Sequence, residues 1–151
     1  MRQFHLECRP DEVMVRCLGK IKKDIVHHDK GRIMAILKRE TAQIAMVDED
    51  PRAYTHPYIE ELQLENEQHY LKVFTDKKRK NKVVMLCPNL EGWLIKVCQT
   101  LKIDLKDFYL PNDENKLHKE INQHLPKVEK LIDHLKSINA APIIFLKEQI
   151  L

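Results

Sequence analysis

Short apolar runs recur along the first two thirds of the chain and predict the strands of a sheet. The run at 43–47 is continuous, as expected for a strand that is covered on both faces, and it ends abruptly at Asp48-Glu49-Asp50-Pro51. The other runs are bounded by polar or turn-forming residues. The predicted strands are 3–6, 43–47, 69–74 and 83–86.

Apolar residues at helical spacing occupy the segments between these runs and predict helices there. Pro10 suits a first helical turn and Gly19 a helix end, while Asp29 and Asn89 are suitable N-caps. We predict one helix that begins at Pro10, a second at 31–39, a short third helix at 58–64 and a fourth at 90–101. The segment 20–28 is predicted to be a basic connector. This alternation of strands and helices favours a small, mostly parallel, Rossmann-like α/β sheet flanked by helices.

The sequence after Leu105 is helical in pattern, with breaks near Pro111, Pro126 and Pro142. A chain of 151 residues matches the usual size of one domain, about 100–200 residues. We therefore predict an α/β part at 1–110 and a helical C-terminal extension at 111–151 that packs on the same domain. The apolar positions of this extension favour core packing and leave open a surface for self-association or a partner.

Composition removes several classes of protein from consideration. Hydrophobic residues make up 43% of the chain, which is too many for a chain kept disordered by low hydrophobicity. No apolar run approaches the roughly 18 residues of a membrane span. Glu7 and Arg9 also interrupt the N-terminal segment where a signal peptide would have its apolar region. We expect a cytoplasmic protein that does not bind membranes.

Glycine and cysteine content limits the chemistry further. The three glycines, Gly19, Gly31 and Gly92, are too few and too dispersed for a dinucleotide-binding fingerprint or a Walker-type phosphate loop. Four cysteines occur without any CxxC pair. This spacing indicates buried or half-buried thiols rather than zinc ligands or disulfides.

Acidic residues follow two of the predicted strands. Glu7 ends the first strand, and Asp48 and Asp50 end the apolar strand at 43–47. In open parallel sheets, ligands bind beyond the carboxyl ends of the strands, so neighbouring strands would bring these three side chains together. Carboxylate oxygens are ligands for Mg²⁺ or Mn²⁺, which would relieve their mutual repulsion. The alternative is that these acids simply lie in solvated loops.

The same residues resemble a known pattern. Glu7 after a short strand, Asp11 at the opening of a helix and a hydrophobic strand ending in Asp48-x-Asp50 resemble the Toprim domain. This domain is shared by type IA and type II topoisomerases, bacterial primases, ribosomal-RNA maturases and overcoming-lysogenization-defect nucleases. The segment 83–94, an apolar strand followed by an acidic helix start, is similar to an element of small Toprim-like proteins in bacterial defence loci. The resemblance covers residues 3–100.

The resemblance implies roles for five acids. Glu7 would be the general acid/base or a metal ligand, Asp48 and Asp50 would bind Mg²⁺ or Mn²⁺, and Asp11 and Glu91 would be candidates for a second metal. The alternative for Asp11 and Glu91 is that each only stabilises the N-terminus of its own helix, where acidic residues are favourable. The chain departs from the Toprim pattern at Cys8, where many members have glycine, and at Pro51, which replaces a helix-starting glycine.

Two basic segments are candidates for binding nucleic acid. The segment between the third and fourth predicted strands carries Lys77, Lys78, Arg79, Lys80 and Lys82. Such a run is commonly a solvated turn, but near an acidic metal centre it would attract a polyanion without reading its sequence. A second basic cluster consists of Lys20, Lys22, Lys23, Lys30 and Arg32.

The resemblance implies a Mg²⁺-dependent nuclease that hydrolyses phosphodiester bonds of DNA or RNA. The chain has no ATP motif and would supply only the cutting centre. Because a small nuclease would be toxic if it were unregulated, we expect an effector subunit that is regulated by a partner protein such as an ATPase, in a bacterial anti-phage defence system, with homo-oligomerisation also open. One alternative is a non-catalytic Toprim-fold binding module whose acidic edge binds a partner's basic surface. A third is a phosphotransfer receiver, for which the chain lacks a convincing phosphoacceptor with its Thr and Lys partners.

Overall fold

The computed structural model describes residues 3–151, and these form an α/β fold with one six-stranded sheet. The strands are β1 (Phe4–Leu6), β2 (Ile25–His27), β3 (Ile44–Asp48), β4 (Gln63–Gln68), β5 (Leu71–Asp76) and β6 (Asn81–Leu86). The helices are α1 (Arg9–Cys17), α2 (Lys30–Arg39), α3 (Leu90–Thr100), α4 (Glu114–Gln123), α5 (Leu125–Ser137) and α6 (Ala141–Ile150). Short 3₁₀ turns lie at Lys22–Asp24, Pro57–Glu61 and Leu105–Phe108.

The sheet is mostly parallel, as the sequence predicted. Its strand order is β2-β1-β3-β6-β5-β4. β2, β1, β3 and β6 run parallel to one another, whereas β5 pairs antiparallel with β6 and β4 pairs antiparallel with β5. The carboxyl ends of β1, β3 and β6 therefore lie at one edge of the sheet, and the amino end of β6 lies at the opposite edge.

Alternation along β3 divides the core between the two faces of the sheet. Ile44 and Met46 belong to the larger buried cluster, which includes side chains of α1, α3, α4, α5 and α6. Ala45 and Val47 belong to the smaller cluster, which includes α2 and Tyr58. Since successive strand side chains point to opposite faces, this pattern is what a sheet covered on both sides requires. The C-terminal helices thus share one core with α1 and α3.

Two strands were not predicted. β2 lies inside the predicted basic connector, and two of its three residues, Ile25 and Val26, are apolar. β4 has the sequence QLENEQ and lies at the edge of the sheet, where it is held by backbone pairing with β5. The short helix predicted at 58–64 was wrong in extent, because a 3₁₀ turn spans Pro57–Glu61 and β4 begins two residues later.

Other boundaries agree with the sequence. Pro126 and Pro142 lie in the first turns of α5 and α6, where a missing N–H costs nothing. Asp29 and Asn89 act as N-caps, accepting from the backbone N–H groups of Arg32 and Gly92. Within residues 3–151, none of the helices combines the length and apolar character that crossing a membrane requires.

Candidate metal centre

Glu7, Asp48 and Asp50 meet at the carboxyl edge of the parallel strands. Each offers one carboxylate oxygen, and these three atoms lie within 4.8 Å of one another. The register explains the convergence: β1 pairs in parallel with β3, with Leu6 opposite Met46, so Glu7 comes level with the end of β3. All three side chains are half-buried, which leaves the cluster reachable from solvent.

Backbone hydrogen bonds hold the carboxylates of Glu7 and Asp48 and the backbone of Asp50 in place. The N–H of Asp48 donates to Glu7 Oε2 at 2.9 Å, and the N–H of Leu90 donates to Asp48 Oδ1 at 3.0 Å. Asp50 has a left-handed backbone, φ 44°, and its N–H donates to the carbonyl of Pro88 at 2.9 Å. Aspartate tolerates this conformation better than most residues. The turn after β3 is therefore tied to β1, to the loop after β6 and to the start of α3.

Glu49, between the two aspartates, is held by two lysines. Lys72 Nζ lies 2.5 Å from Glu49 Oε2, and Lys30 Nζ donates to the Glu49 carbonyl at 2.8 Å. Lys30 also lies close enough to Glu7 to favour its ionised form. The sequence did not predict that either lysine lies near the acidic cluster. The separation of Glu49 from Asp48 and Asp50 is the one that alternation of side chains along a strand predicts.

Asp11, in the first turn of α1, is buried behind the cluster. Its side chain is 1% exposed, and Oδ2 accepts a hydrogen bond from the Cys8 thiol at 3.0 Å. Oδ1 is buried and has no hydrogen-bond partner among the described residues. A buried carboxylate oxygen without a partner is costly, because its desolvation is not repaid by a hydrogen bond. An ordinary first-turn acid would instead be solvated.

Burial and mutual repulsion disfavour ionisation of these acids. Burial raises the pKa of Asp48 to about 8, with further contributions from the charges of Asp11, Glu7, Asp50 and Glu91. Burial likewise raises the pKa of Asp11 to about 7 and raises that of Glu7 above its ordinary value. In the absence of a cation, the fold therefore stabilises the ionised forms of these acids less well than water does.

Glu91 approaches the cluster from α3 and has a partner outside it. Its side chain is 10% exposed, and its Oε1 lies 2.9 Å from His118 Nδ1. His118 belongs to α4, so the C-terminal helical extension contributes a contact to this region. Asp11 and Glu91 are not within the compact group formed by Glu7, Asp48 and Asp50, but both charges act on Asp48.

These residues fit a divalent cation. The donors are carboxylate oxygens, which hard cations such as Mg²⁺ and Mn²⁺ prefer. Asp11 Oδ1 is buried without a partner among the described residues, and burial followed by the neighbouring acids raises the pKa of Asp48. A bound cation would contact such oxygens and stabilise their ionised form. Burial, followed by the charge and hydrogen bonding of Asp11, raises the pKa of Cys8, so its sulfur is a hydrogen-bond donor rather than a thiolate ligand. All four cysteines are free, as predicted.

The basic segment at 77–82 lies at the other end of the sheet. Lys82 is opposite Ile44, whereas Leu86 is opposite Asp48, so about 13 Å of strand separates Lys82 from the level of the acidic cluster. Arg79 pairs with Asp76 and Glu61, and Lys82 donates to the carbonyl of Gln149. The structure does not bring Lys77, Lys78, Arg79, Lys80 or Lys82 to the cluster. Lys30, a member of the second basic cluster, contacts this edge through the Glu49 carbonyl.

Comparisons of the chain with known protein families, with characterised proteins and with solved structures give no match. The Toprim resemblance therefore stays a prediction that depends on the motifs around Glu7, Asp11, Asp48 and Asp50. The class of protein that the structure itself defines is an α/β fold with an acidic cluster at the carboxyl edge of its parallel strands.

Proposed function

We propose that this protein is a nuclease that uses Mg²⁺ or Mn²⁺ to hydrolyse phosphodiester bonds of DNA or RNA. The observation that carries the proposal is the meeting of Glu7, Asp48 and Asp50 within 4.8 Å at the carboxyl edge of the sheet. A non-catalytic module that binds a basic surface does not need three carboxylates at so short a range. A phosphodiesterase centre does need them, because its metal must be held by several oxygen ligands.

Glu7, Asp48 and Asp50 would hold the cation, and Asp11 and Glu91 are the candidates for a second one. A bound Mg²⁺ would lower the pKa of a coordinated water, polarise the scissile phosphate and neutralise developing negative charge. The chain's own groups orient the ligands: the Asp48 N–H fixes Glu7, and the Leu90 N–H fixes Asp48. Lys30 and Lys72 hold Glu49 and so hold the backbone that carries Asp48 and Asp50.

We also propose that the nuclease is a regulated effector. The support is the resemblance to Toprim-like proteins of defence loci, together with the absence from the sequence of an ATP-binding motif. A partner ATPase, or a second copy of this chain, would then control access to the acidic edge. Purification of the tagged chain from a host that carries the neighbouring genes should recover such a partner or an oligomer. Repeated recovery of the chain alone as a monomer would contradict this regulatory proposal.

The function is tested by incubating supercoiled plasmid and structured RNA with the protein in Mg²⁺ or Mn²⁺. We expect metal-dependent cleavage that is abolished in Asp48→Asn/Asp50→Asn. The matched control is Asp104→Asn, which changes an acid beyond the C-terminus of α3 and keeps an oxygen to accept from the Lys106 N–H. This control should cut like the wild type. Cleavage that survives the double substitution would overturn the proposed centre.

A further inference from the structure

A cleft opens directly beside the acidic cluster. It has a volume of about 510 Å³, within the range of about 300–1,000 Å³ that is typical of ligand sites. Glu7 belongs both to this cleft and to the acidic cluster. Anything that occupies the cleft therefore lies next to the proposed metal centre. The cleft is lined by Glu7, Cys8, Arg9, Glu12, Lys22 and His27.

Two basic side chains line this cleft without pairing with an acid that the structure describes. Arg9 and Lys22 are exposed, and within residues 3–151 neither side chain forms an ion pair or a hydrogen bond. The acid Glu12, by contrast, is 3.4 Å from His27 Nε2. The cleft thus presents two available positive charges beside a carboxylate cluster that repels anions.

The N-terminus of α1 also opens into this cleft. Arg9 is the first residue of α1, and the side chain of the N-cap residue Cys8 accepts no hydrogen bond from the backbone N–H groups of the first turn. Helix N-termini favour anions such as phosphate, because the first amides lack intrahelical partners and the helix dipole is positive there. Guanidinium and ammonium groups next to such a terminus form a surface suited to a phosphodiester chain.

We propose that this cleft binds the phosphate backbone of the substrate strand, with Arg9 and Lys22 as its phosphate contacts. The inference rests on the proposed nuclease function and names the surface that delivers the strand to Glu7, Asp48 and Asp50. It moves the expected backbone contact away from Lys77, Lys78 and Lys80, which lie at the opposite end of the sheet. Contacts of this kind supply affinity that is independent of sequence.

The binding test uses the full chain with Asp48→Asn, which should prevent cutting because it removes a proposed metal ligand, and fluorescently labelled single-stranded and duplex DNA and RNA over a salt series. Adding Arg9→Gln and Lys22→Gln should lower affinity by about tenfold or more in low salt. It should also reduce the slope of log affinity against log salt by about 1.4–1.8, since each phosphate contact contributes about 0.7 in single strands and 0.9 in duplex DNA. Both side chains are exposed, so these substitutions should leave the melting temperature unchanged.

Two matched sets separate the possibilities. Lys102→Gln/Lys106→Gln makes the same change of charge on the exposed surface beyond the C-terminus of α3 and should bind like the parent. Lys77→Gln/Lys78→Gln/Lys80→Gln tests the β5–β6 turn. If this set loses affinity while Arg9→Gln/Lys22→Gln retains it, the cleft assignment is overturned.

Cleavage by chains with an intact acidic cluster distinguishes the two proposals. Wild-type cutting together with full activity and affinity of Arg9→Gln/Lys22→Gln would overturn the cleft and leave the nuclease function in place. Wild-type cutting with a salt-dependent loss in this variant would support both. If the wild type cuts no substrate and the Asp48→Asn chain binds no nucleic acid, both proposals fail.

Discussion

The backbone N–H of Leu90 donates to Asp48 Oδ1 at 3.0 Å, which joins the first residue of α3 to the last residue of β3. This hydrogen bond places a half-buried carboxylate at a helix N-terminus, where the dipole favours negative charge. Even so, burial and the neighbouring acids raise the pKa of Asp48 to about 8. Burial and the repulsion within the cluster together therefore outweigh the stabilisation of the carboxylate by the helix terminus.

Asp48→Asn should stabilise the protein in the absence of divalent metal. The amide keeps an oxygen for the Leu90 N–H and is neutral without a proton, whereas folding at neutral pH must protonate Asp48 or bury its charge beside Asp11 and Glu7. We expect the melting temperature at neutral pH, measured in EDTA, to rise by about 2–4 °C, which corresponds to about 1 kcal/mol for a chain of this size. Excess Mg²⁺ should raise the melting temperature of the wild type and have little effect on the variant.

The control for this prediction is a substitution of an acid that has a structural role. Asp113 is exposed and caps α4 by accepting from the Lys116 N–H at 2.9 Å. Asp113→Ala should lower the free energy of unfolding by about 1 kcal/mol, with or without metal. A fall in stability for Asp48→Asn as well, or an equal response of both variants to Mg²⁺, would show that the cluster is an ordinary structural feature.

The sequence predicts the meeting of the acids at the strand ends but not the burial of Asp11 or the presence of β4. The convergence of Glu7 with Asp48 follows from parallel strands that both end in acids. The burial of Asp11 does not follow, because first-turn acids are usually solvated and only the packing around α1 removes this one from water. β4 has no hydrophobic alternation, since an edge strand can be held by backbone hydrogen bonds to its neighbour alone.

The position of the basic turn between β5 and β6 relative to the acidic cluster could not be predicted from the sequence. Its residues were identified from the sequence, but their relation to the acids depends on strand direction. β6 runs parallel to β3, so the turn that precedes β6 is at the edge opposite Asp48. Placing it required the strand order, which the short strand β2 and the unpredicted strand β4 obscured.

Stability at low pH should depend on Asp76, at the end of the sheet away from the cluster. Burial opposes ionisation of Asp76, but hydrogen bonds from Tyr58 and Arg79 outweigh it and hold the pKa of Asp76 below its ordinary value of 3.8. Its stabilising effect is therefore present above about pH 4 and is lost as the pH falls through the lowered folded-state pKa. Asp76→Asn should reduce the free energy of unfolding by about 1–3 kcal/mol at neutral pH and flatten its dependence on pH below about pH 4.

Urea unfolding at a series of pH values measures this effect. Tyr58→Phe is the matched variant, because it removes the hydroxyl that donates to Asp76 Oδ2 at 2.7 Å and keeps the ring. It should cost about 1 kcal/mol and leave part of the acid dependence in place, since Arg79 still pairs with Asp76. An acid limb that is unchanged in Asp76→Asn would contradict the assignment.

Gly92→Ala should destabilise the protein although alanine is the better helix former. A Cβ at Gly92 would lie 2.8 Å from Pro88 Cδ, which is closer than non-bonded carbon atoms allow. Relief of this clash must move Pro88 or the start of α3, and both contact the turn that carries Asp48 and Asp50. We therefore expect a lower melting temperature and weaker stabilisation by Mg²⁺.

Gly31→Ala provides the comparison within the same protein. A Cβ at Gly31, in the first turn of α2, would be 3.4 Å from Asp29 Oδ1, an ordinary contact. Alanine there should be neutral or should stabilise by up to about 1 kcal/mol through helix propensity. If both substitutions changed the melting temperature in the same direction, the close approach of Gly92 to Pro88 would not be the cause.

His118 should influence metal binding through Glu91, which its Nδ1 contacts at 2.9 Å. Loss of an outer contact to a ligand carboxylate commonly weakens metal binding by about 10–100-fold, because the ligand is no longer held in one orientation. His118→Ala should therefore shift the Mg²⁺ titration of the melting temperature to concentrations at least about tenfold higher. His118→Gln, which retains a side-chain donor, should recover part of the loss.

His124 pairs with Glu120 rather than with the cluster, so His124→Ala should titrate like the wild type. Equal titrations for His118→Ala and His124→Ala would mean that Glu91 takes no part in holding the metal.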